Sequence, residues 1–202
     1  YLRAEQFENG LVPVTAPYWK ICREMSRLLG SDTSCGWGDA IVFVPWAIYQ
    51  ETGNQVVLEE NYDAMRRWMS YVEREDKNGS WNQGFHFGDW MLPSIIMAGG
   101  TPRDTAYATK ELFSTAYYAY SAKIMAQIAA ALGRLADEKK YERLYQDIRQ
   151  AFAEKYVRAD GSLPLPYQGA YVVSLKFGLI PESKRAGAVD QLCRLIEENG
   201  TR

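Results

Sequence analysis

Three times along this chain, a stretch that is apolar on every side is followed by a stretch that is apolar on one side only. The first apolar run is Ala40-Ile41-Val42-Phe43-Val44-Pro45-Trp46-Ala47-Ile48-Tyr49. It reads as a helix buried all round, with a β-strand as the competing assignment. After it, Leu58, Tyr62, Met65, Met69 and Val72 recur at spacings of four, three, four and three, the stripe of an amphipathic helix over 55–72. The second pair is a long, small-residue, nearly uncharged helix over 107–132, closed by Gly133 as C-cap, and a partner over 138–156 striped by Tyr141, Leu144, Ile148, Phe152 and Tyr156. The third is the apolar run 170–177, then 182–198 with Val189, Leu192, Leu195 and Ile196 on its buried stripe.

That alternation is what a double-layered ring of helices demands: inner helices line a funnel and outer helices cover them. Three such inner/outer hairpins make about half of a ring, so the expected class is all-α, an (α/α)6 toroid of which 1–202 is a partial domain. A helical solenoid shares the hairpin repeat but calls for units of similar length and short connections. Here the outer-to-inner connections are long, about 75–105 and 157–167, and long ordered connections are usually functional. If the hairpins alternate in direction, the segments carrying Asp39, Asp89 and Tyr167-Gln168 emerge at one end of the ring.

Two motifs stand on that end: Gly36-Trp37-Gly38-Asp39-Ala40 and Phe85-His86-Phe87-Gly88-Asp89-Trp90. An indole offers a flat apolar face to a sugar ring, and a neighbouring carboxylate accepts hydrogen bonds from hydroxyls or moves protons. Asp39 reads equally as a helix N-cap and as a substrate ligand. Asp89 favours function, because four aromatic rings crowd a loop outside any helix. Trp37 and Trp90 suit a stacking platform or packing against the funnel wall. His86, the one histidine in the chain, reads chiefly as a hydrogen-bonded structural residue of that loop and joins the candidate substrate-binding set. Asp104 or Thr105 caps the long inner helix, and Glu111 near its start is a candidate to face the funnel. Trp46, Trp68 and Tyr120 fall at core positions.

Composition narrows the partners. With 23 Lys+Arg against 25 Asp+Glu the net charge is −2, and no basic run is present, so neither a nucleic acid nor an anionic membrane is expected and a neutral substrate fits better. Cys22, Cys35 and Cys193 show no metal or redox spacing and read as free thiols; no metal or other cofactor is implied. No apolar run approaches a membrane span. The first residues carry neither an initiator Met nor a signal-like core, which reads as a piece of a longer chain.

Taken in order, Val12-Pro13-Val14, Gly36-Trp37-Gly38-Asp39-Ala40 with Val44-Pro45-Trp46, Phe87-Gly88-Asp89-Trp90, Lys110-Glu111-Leu112 with 115–120, and Phe177-Gly178-Leu179-Ile180-Pro181 resemble the catalytic (α/α)6 domain of the α-L-rhamnosidases of glycoside hydrolase family 78. The resemblance runs nearly end to end. It implies hydrolysis of terminal α-L-rhamnosyl residues with inversion, by a carboxylic acid and a carboxylate about 6.5–9.5 Å apart. It places the general acid upstream of this chain and the general base beyond Arg202, and leaves Asp39 and Trp90 as rhamnose-binding residues with Trp37 and Asp89 as neighbours. The partner implied is a rhamnose-containing glycoside or oligosaccharide, with room left for a homodimer of the full-length protein. The reading of a different class is a non-catalytic carbohydrate-binding or scaffold helical domain. A helical-ring enzyme acting on uronic acids is a further rival, but beyond Arg103 these loops offer few cations for a substrate carboxylate.

Overall fold

The computed structural model describes residues 1–81 and 83–198, and among these every regular element is a helix. The chain enters through a short turn, α1 (Leu2–Glu5), and an amphipathic helix, α2 (Lys20–Leu29). Three antiparallel hairpins follow: α3 (Ala40–Thr52) with α4 (Val56–Glu75), α6 (Pro102–Ala131) with α7 (Leu135–Tyr156), and α8 (Gln168–Lys176) with α9 (Glu182–Glu198). A five-residue helix, α5 (Pro93–Met97), sits inside the connection from α4 to α6. The inner helix α6 packs against both α3 and α8, so the three hairpins stand side by side as a half-ring with α6 in the middle.

The stripes do the packing that their spacing predicts. On α4, Leu58, Tyr62, Met65, Met69 and Val72 are all buried against α3 and α6, each worth roughly 1.5–3 kcal/mol of apolar burial. On α7, Tyr141, Ile148, Phe152 and Tyr156 are buried, joined by Tyr145, while Leu144 is only half-covered. The long helix α6 begins five residues before its expected start. Thr101 is its N-cap, its hydroxyl accepting from the Asp104 N–H while the Asp104 carboxylate accepts the Thr101 N–H at 2.8 Å. Neither Asp104 nor Thr105 is the cap, because Asp104 closes the reciprocal box from the third helical position.

Two stripes depart from expectation. The helix α3 is not buried all round: Val44 and Ile48, one turn apart, are 50% and 42% exposed. On α9 the fully buried residue is Ala188, while Val189 and Ile196 are 39% and 37% exposed. Both helices lie at the ends of the half-ring, where no further hairpin among the described residues stands against them.

Candidate functional site

The ends of three connections meet at one rim. The Gly36 loop enters α3, the Phe85–Trp90 loop precedes α6, and Tyr167-Gln168 opens α8. The first two are stitched together by backbone: the Cys35 N–H donates to His86 Nδ1 at 3.0 Å, and the Phe87 N–H donates to Ser34 Oγ at 3.0 Å. The Trp37 and Phe87 rings lie 4.5 Å apart, and Phe87 meets Trp90 edge-on at 4.9 Å. The second and third loops converge on Asp89, which lines a hollow with Tyr167, Gln168 and Gly169; a Cβ at Gly169 would stand 3.0 Å from Asp89 Oδ2.

Two threonines one turn apart on α6 hold this loop down. Thr109 Oγ1 accepts the Asp89 N–H at 2.9 Å, and the Thr105 hydroxyl donates to the Trp90 carbonyl at 2.6 Å. Both are buried. Gly88 makes the approach possible: its φ is +55°, and a Cβ there would fall 2.3 Å from Thr109 Oγ1. The Thr105/Thr109 pair was not singled out from the sequence, although its i, i+4 spacing under a nearly uncharged helix was the available signal.

Asp39 does not act as the side-chain cap of α3. It has no exposed surface. Oδ2 accepts the Gly36 N–H at 2.8 Å, while Oδ1 accepts the Trp68 indole N–H at 2.9 Å and the Ser121 hydroxyl at 2.7 Å. The carboxylate thus ties the Gly36-Trp37 turn to an outer helix and to the central inner helix. Burial pushes its pKa up to about 6 despite those three donors. Gly38 leaves room for this arrangement, since a Cβ there would meet the Trp68 ring at 2.3 Å.

His86 is also enclosed, at 1% exposure, with its ring edge-on to Trp81 at 4.6 Å. Burial lowers its pKa to about 4, partly opposed by a hydrogen bond with the Gln83 backbone. At neutral pH the ring is uncharged, and Nδ1 is the acceptor for Cys35. The side chains that face outward are Trp37, 43% exposed, and the half-buried Asp89 and Trp90. Burial raises the Asp89 pKa from its ordinary value, with a Met91 backbone hydrogen bond opposing it. Glu111 pairs with Lys155 of the outer helix α7 at 3.3 Å rather than facing the funnel. Tyr117 completes the rim, lining a second hollow with Gly36, Trp37 and Ala40.

The rim offers the aromatic faces of Trp37, Phe87 and Trp90 and, in the neighbouring hollow, the carboxyls of Asp89 and Glu198, groups of the kind that suit a neutral polyol ring. Comparison with known proteins gives the family. The chain is 32% identical over 199 residues to an α-L-rhamnosidase of Formosa agariphila, covering 98% of this chain and 20% of that protein. It is 38% identical over 162 residues to one of Streptomyces avermitilis, covering 80% and 14%. Its fold superposes on the crystal structure of a Streptomyces avermitilis α-L-rhamnosidase complexed with L-rhamnose with a TM-score of 0.81 at 33% identity, over 98% of this chain and 17% of that one. The chain therefore spans about a fifth or less of the length of these relatives. Residues 1–202 match in full the family described as the bacterial alpha-L-rhamnosidase 6 hairpin glycosidase domain, and the chain belongs to that family.

Proposed function

We propose that this chain is the central portion of the catalytic domain of an inverting glycoside hydrolase that releases terminal α-L-rhamnose, and that it supplies the sugar-holding wall of the active site. The observation that carries this reading is the row Trp37, Phe87, Trp90 on two neighbouring loops, with Asp89 of the second loop lining the hollow it shares with Tyr167 and Gln168. Trp37 and Trp90 cover the apolar face of the sugar, and Asp89 accepts hydrogen bonds from its hydroxyls. Asp39 and His86 act one step back: the first fixes the Trp37 turn, and the second fixes the spacing between the two aromatic loops.

Inversion requires two carboxyl groups about 6.5–9.5 Å apart across the scissile bond, one to protonate the leaving oxygen and one to activate water. Of the two acids in the aromatic motifs, Asp39 is sealed and committed to three donors. The family resemblance assigns the catalytic pair to parts of the full-length protein outside this segment, and on that reading the segment alone is inactive. The test is hydrolysis of an aryl α-L-rhamnoside by the full-length protein, followed by proton NMR. The β anomer of rhamnose appears first and then mutarotates. Initial release of the α anomer, or turnover by the 202-residue segment alone, contradicts the proposal.

A further inference from the structure

We propose that Tyr117 is a substrate-contacting residue, its hydroxyl donating a hydrogen bond to one ring hydroxyl of the terminal rhamnose at the Trp37 end of the aromatic row. The inference rests on the rhamnosidase reading above and deepens it: Asp89 holds the sugar from one side, and Tyr117 holds it from another.

The placement follows from the pattern of the central inner helix. Over 116–120, Ala116, Tyr118 and Ala119 are buried, whereas Tyr117 and Tyr120 are only half-covered. Residues three apart share a helix face, and this face turns toward the neighbouring inner helices. Both rings meet Phe43 of α3, and both meet Phe177 just past the end of α8. Tyr120 gives its whole ring to that contact, stacked on Phe177 at 4.0 Å. Tyr117 lies one turn nearer the rim end of α6 and meets Phe177 only edge-on, at 5.3 Å. Its ring tip lies against Gly36, where a Cβ would come 3.5 Å from Cζ. Side chains on a helix lean toward its N-terminus, here the rim end, so the phenol is aimed back toward the aromatic loops.

The hydroxyl is available to a ligand. Tyr145 of α7 spends its own on the Phe177 carbonyl at 3.0 Å, but among the described residues the Tyr117 hydroxyl has no hydrogen-bond partner. Tyr117 lines a hollow of about 470 Å³, with Gly36, Trp37 and Ala40 beside it and Leu2 and the stretch 13–16 across from it, within the size range of small-molecule sites. Trp37 lines that hollow and also begins the row that Phe87 and Trp90 continue. A sugar ring laid on the Trp37 face therefore has the phenol beside it. The one other side-chain hydroxyl of the hollow is that of Thr15, which is exposed. Burial raises the Tyr117 pKa, and Cys35 and Asp39 push it the same way. The phenol thus keeps its proton at neutral pH and donates it to an acceptor, a role that a sugar hydroxyl oxygen fills.

The experiment compares full-length wild type with Tyr117→Phe on an aryl α-L-rhamnoside and on its three monodeoxy analogues, each lacking one ring hydroxyl. The substitution removes one oxygen and keeps the ring that packs on Phe43, Phe177 and Gly36, so the unfolding midpoint is expected to hold. On the parent substrate kcat/KM falls about tenfold, the effect of one lost hydrogen bond. On the analogue lacking the hydroxyl that Tyr117 holds, variant and wild type turn over equally, while on the other two the gap persists. No loss on the parent, or the same fractional loss on all four substrates, overturns the contact while leaving rhamnosidase activity intact. Absence of rhamnose release from the parent by the wild type overturns both the contact and the reading beneath it.

Discussion

Keeping a fully enclosed carboxylate ionised costs stability, and Asp39 makes that cost measurable. Its carboxyl titrates near 6 in the fold against 3.8 when free. Its contribution is therefore complete below pH 3.8 and is lost as pH rises through 6. His86 runs the other way: with a pKa near 4 against 6.5, its contribution is complete above 6.5 and is lost as pH falls through 4. Each shift of about two units corresponds to about 3 kcal/mol, so the two nearly cancel between pH 4 and 6. Asp39→Asn removes one of them. The variant is expected to lose about 1–3 kcal/mol overall, because an amide N–H₂ now confronts a donor, and its stability should climb from pH 4 to 6.5 while that of the wild type stays nearly flat. Denaturant unfolding at several pH values checks this, and parallel profiles would contradict it. The same residue marks how far the sequence reaches. The motif 36–40 singled out Asp39, but its direction depends on Trp68 and Ser121, which stand 29 and 82 positions further along. A second residue-scale expectation concerns Gly88→Ala. With φ at +55° and Thr109 Oγ1 in the way, the loop must shift Asp89, and rhamnose affinity should fall at least tenfold at little change in secondary structure by circular dichroism.

Among the elements, the outer helix α4 was the most legible, because its five stripe residues pack against two neighbours and therefore had to be apolar at helical spacing. The helix α2 was missed for the converse reason. Its apolar residues Ile21, Met25 and Leu28 do recur at helical spacing, but they are 65%, 54% and 78% exposed, so the stripe packs into no core and α2 has no partner helix in the hairpin alternation. The short α5 escaped because five residues opened by a proline carry no period. The start of α6 was misplaced because Thr101, Pro102 and Asp104 lie in a polar stretch that reads as loop until the reciprocal cap is seen. That cap makes its own prediction. Thr101→Ala removes a box exposed to solvent and is expected to cost about 1 kcal/mol, read as a lower unfolding midpoint, with the dissociation constant for L-rhamnose unchanged. A change in affinity would mean that the first turn of α6 positions the site more tightly than Thr105 and Thr109 alone.

At the scale of the molecule, the alternation of all-round and one-sided helices predicted three hairpins, and α6 sits between α3 and α8 as a half-ring requires. What the alternation could not convey is which inner faces stay open. Val44 and Ile48 on α3, Val172 on α8, and Val189 and Ile196 on α9 are exposed at the two ends of the half-ring, and apolar surface of that extent invites cover. Produced alone, residues 1–202 should therefore bind a hydrophobic dye and self-associate, and the full-length protein should do neither. Dye binding of equal strength by both would show that those faces are not covered by further hairpins. The central claim is that the loops of these hairpins build one sugar-holding rim in which Asp89 takes the hydroxyls of the sugar. Its most direct test is calorimetric titration of L-rhamnose into the full-length protein and into its Asp89→Ala variant, with unfolding midpoints recorded for both. Wild-type binding that weakens at least tenfold in the variant at a similar midpoint is the predicted result, and equal affinity in the two proteins would contradict the account.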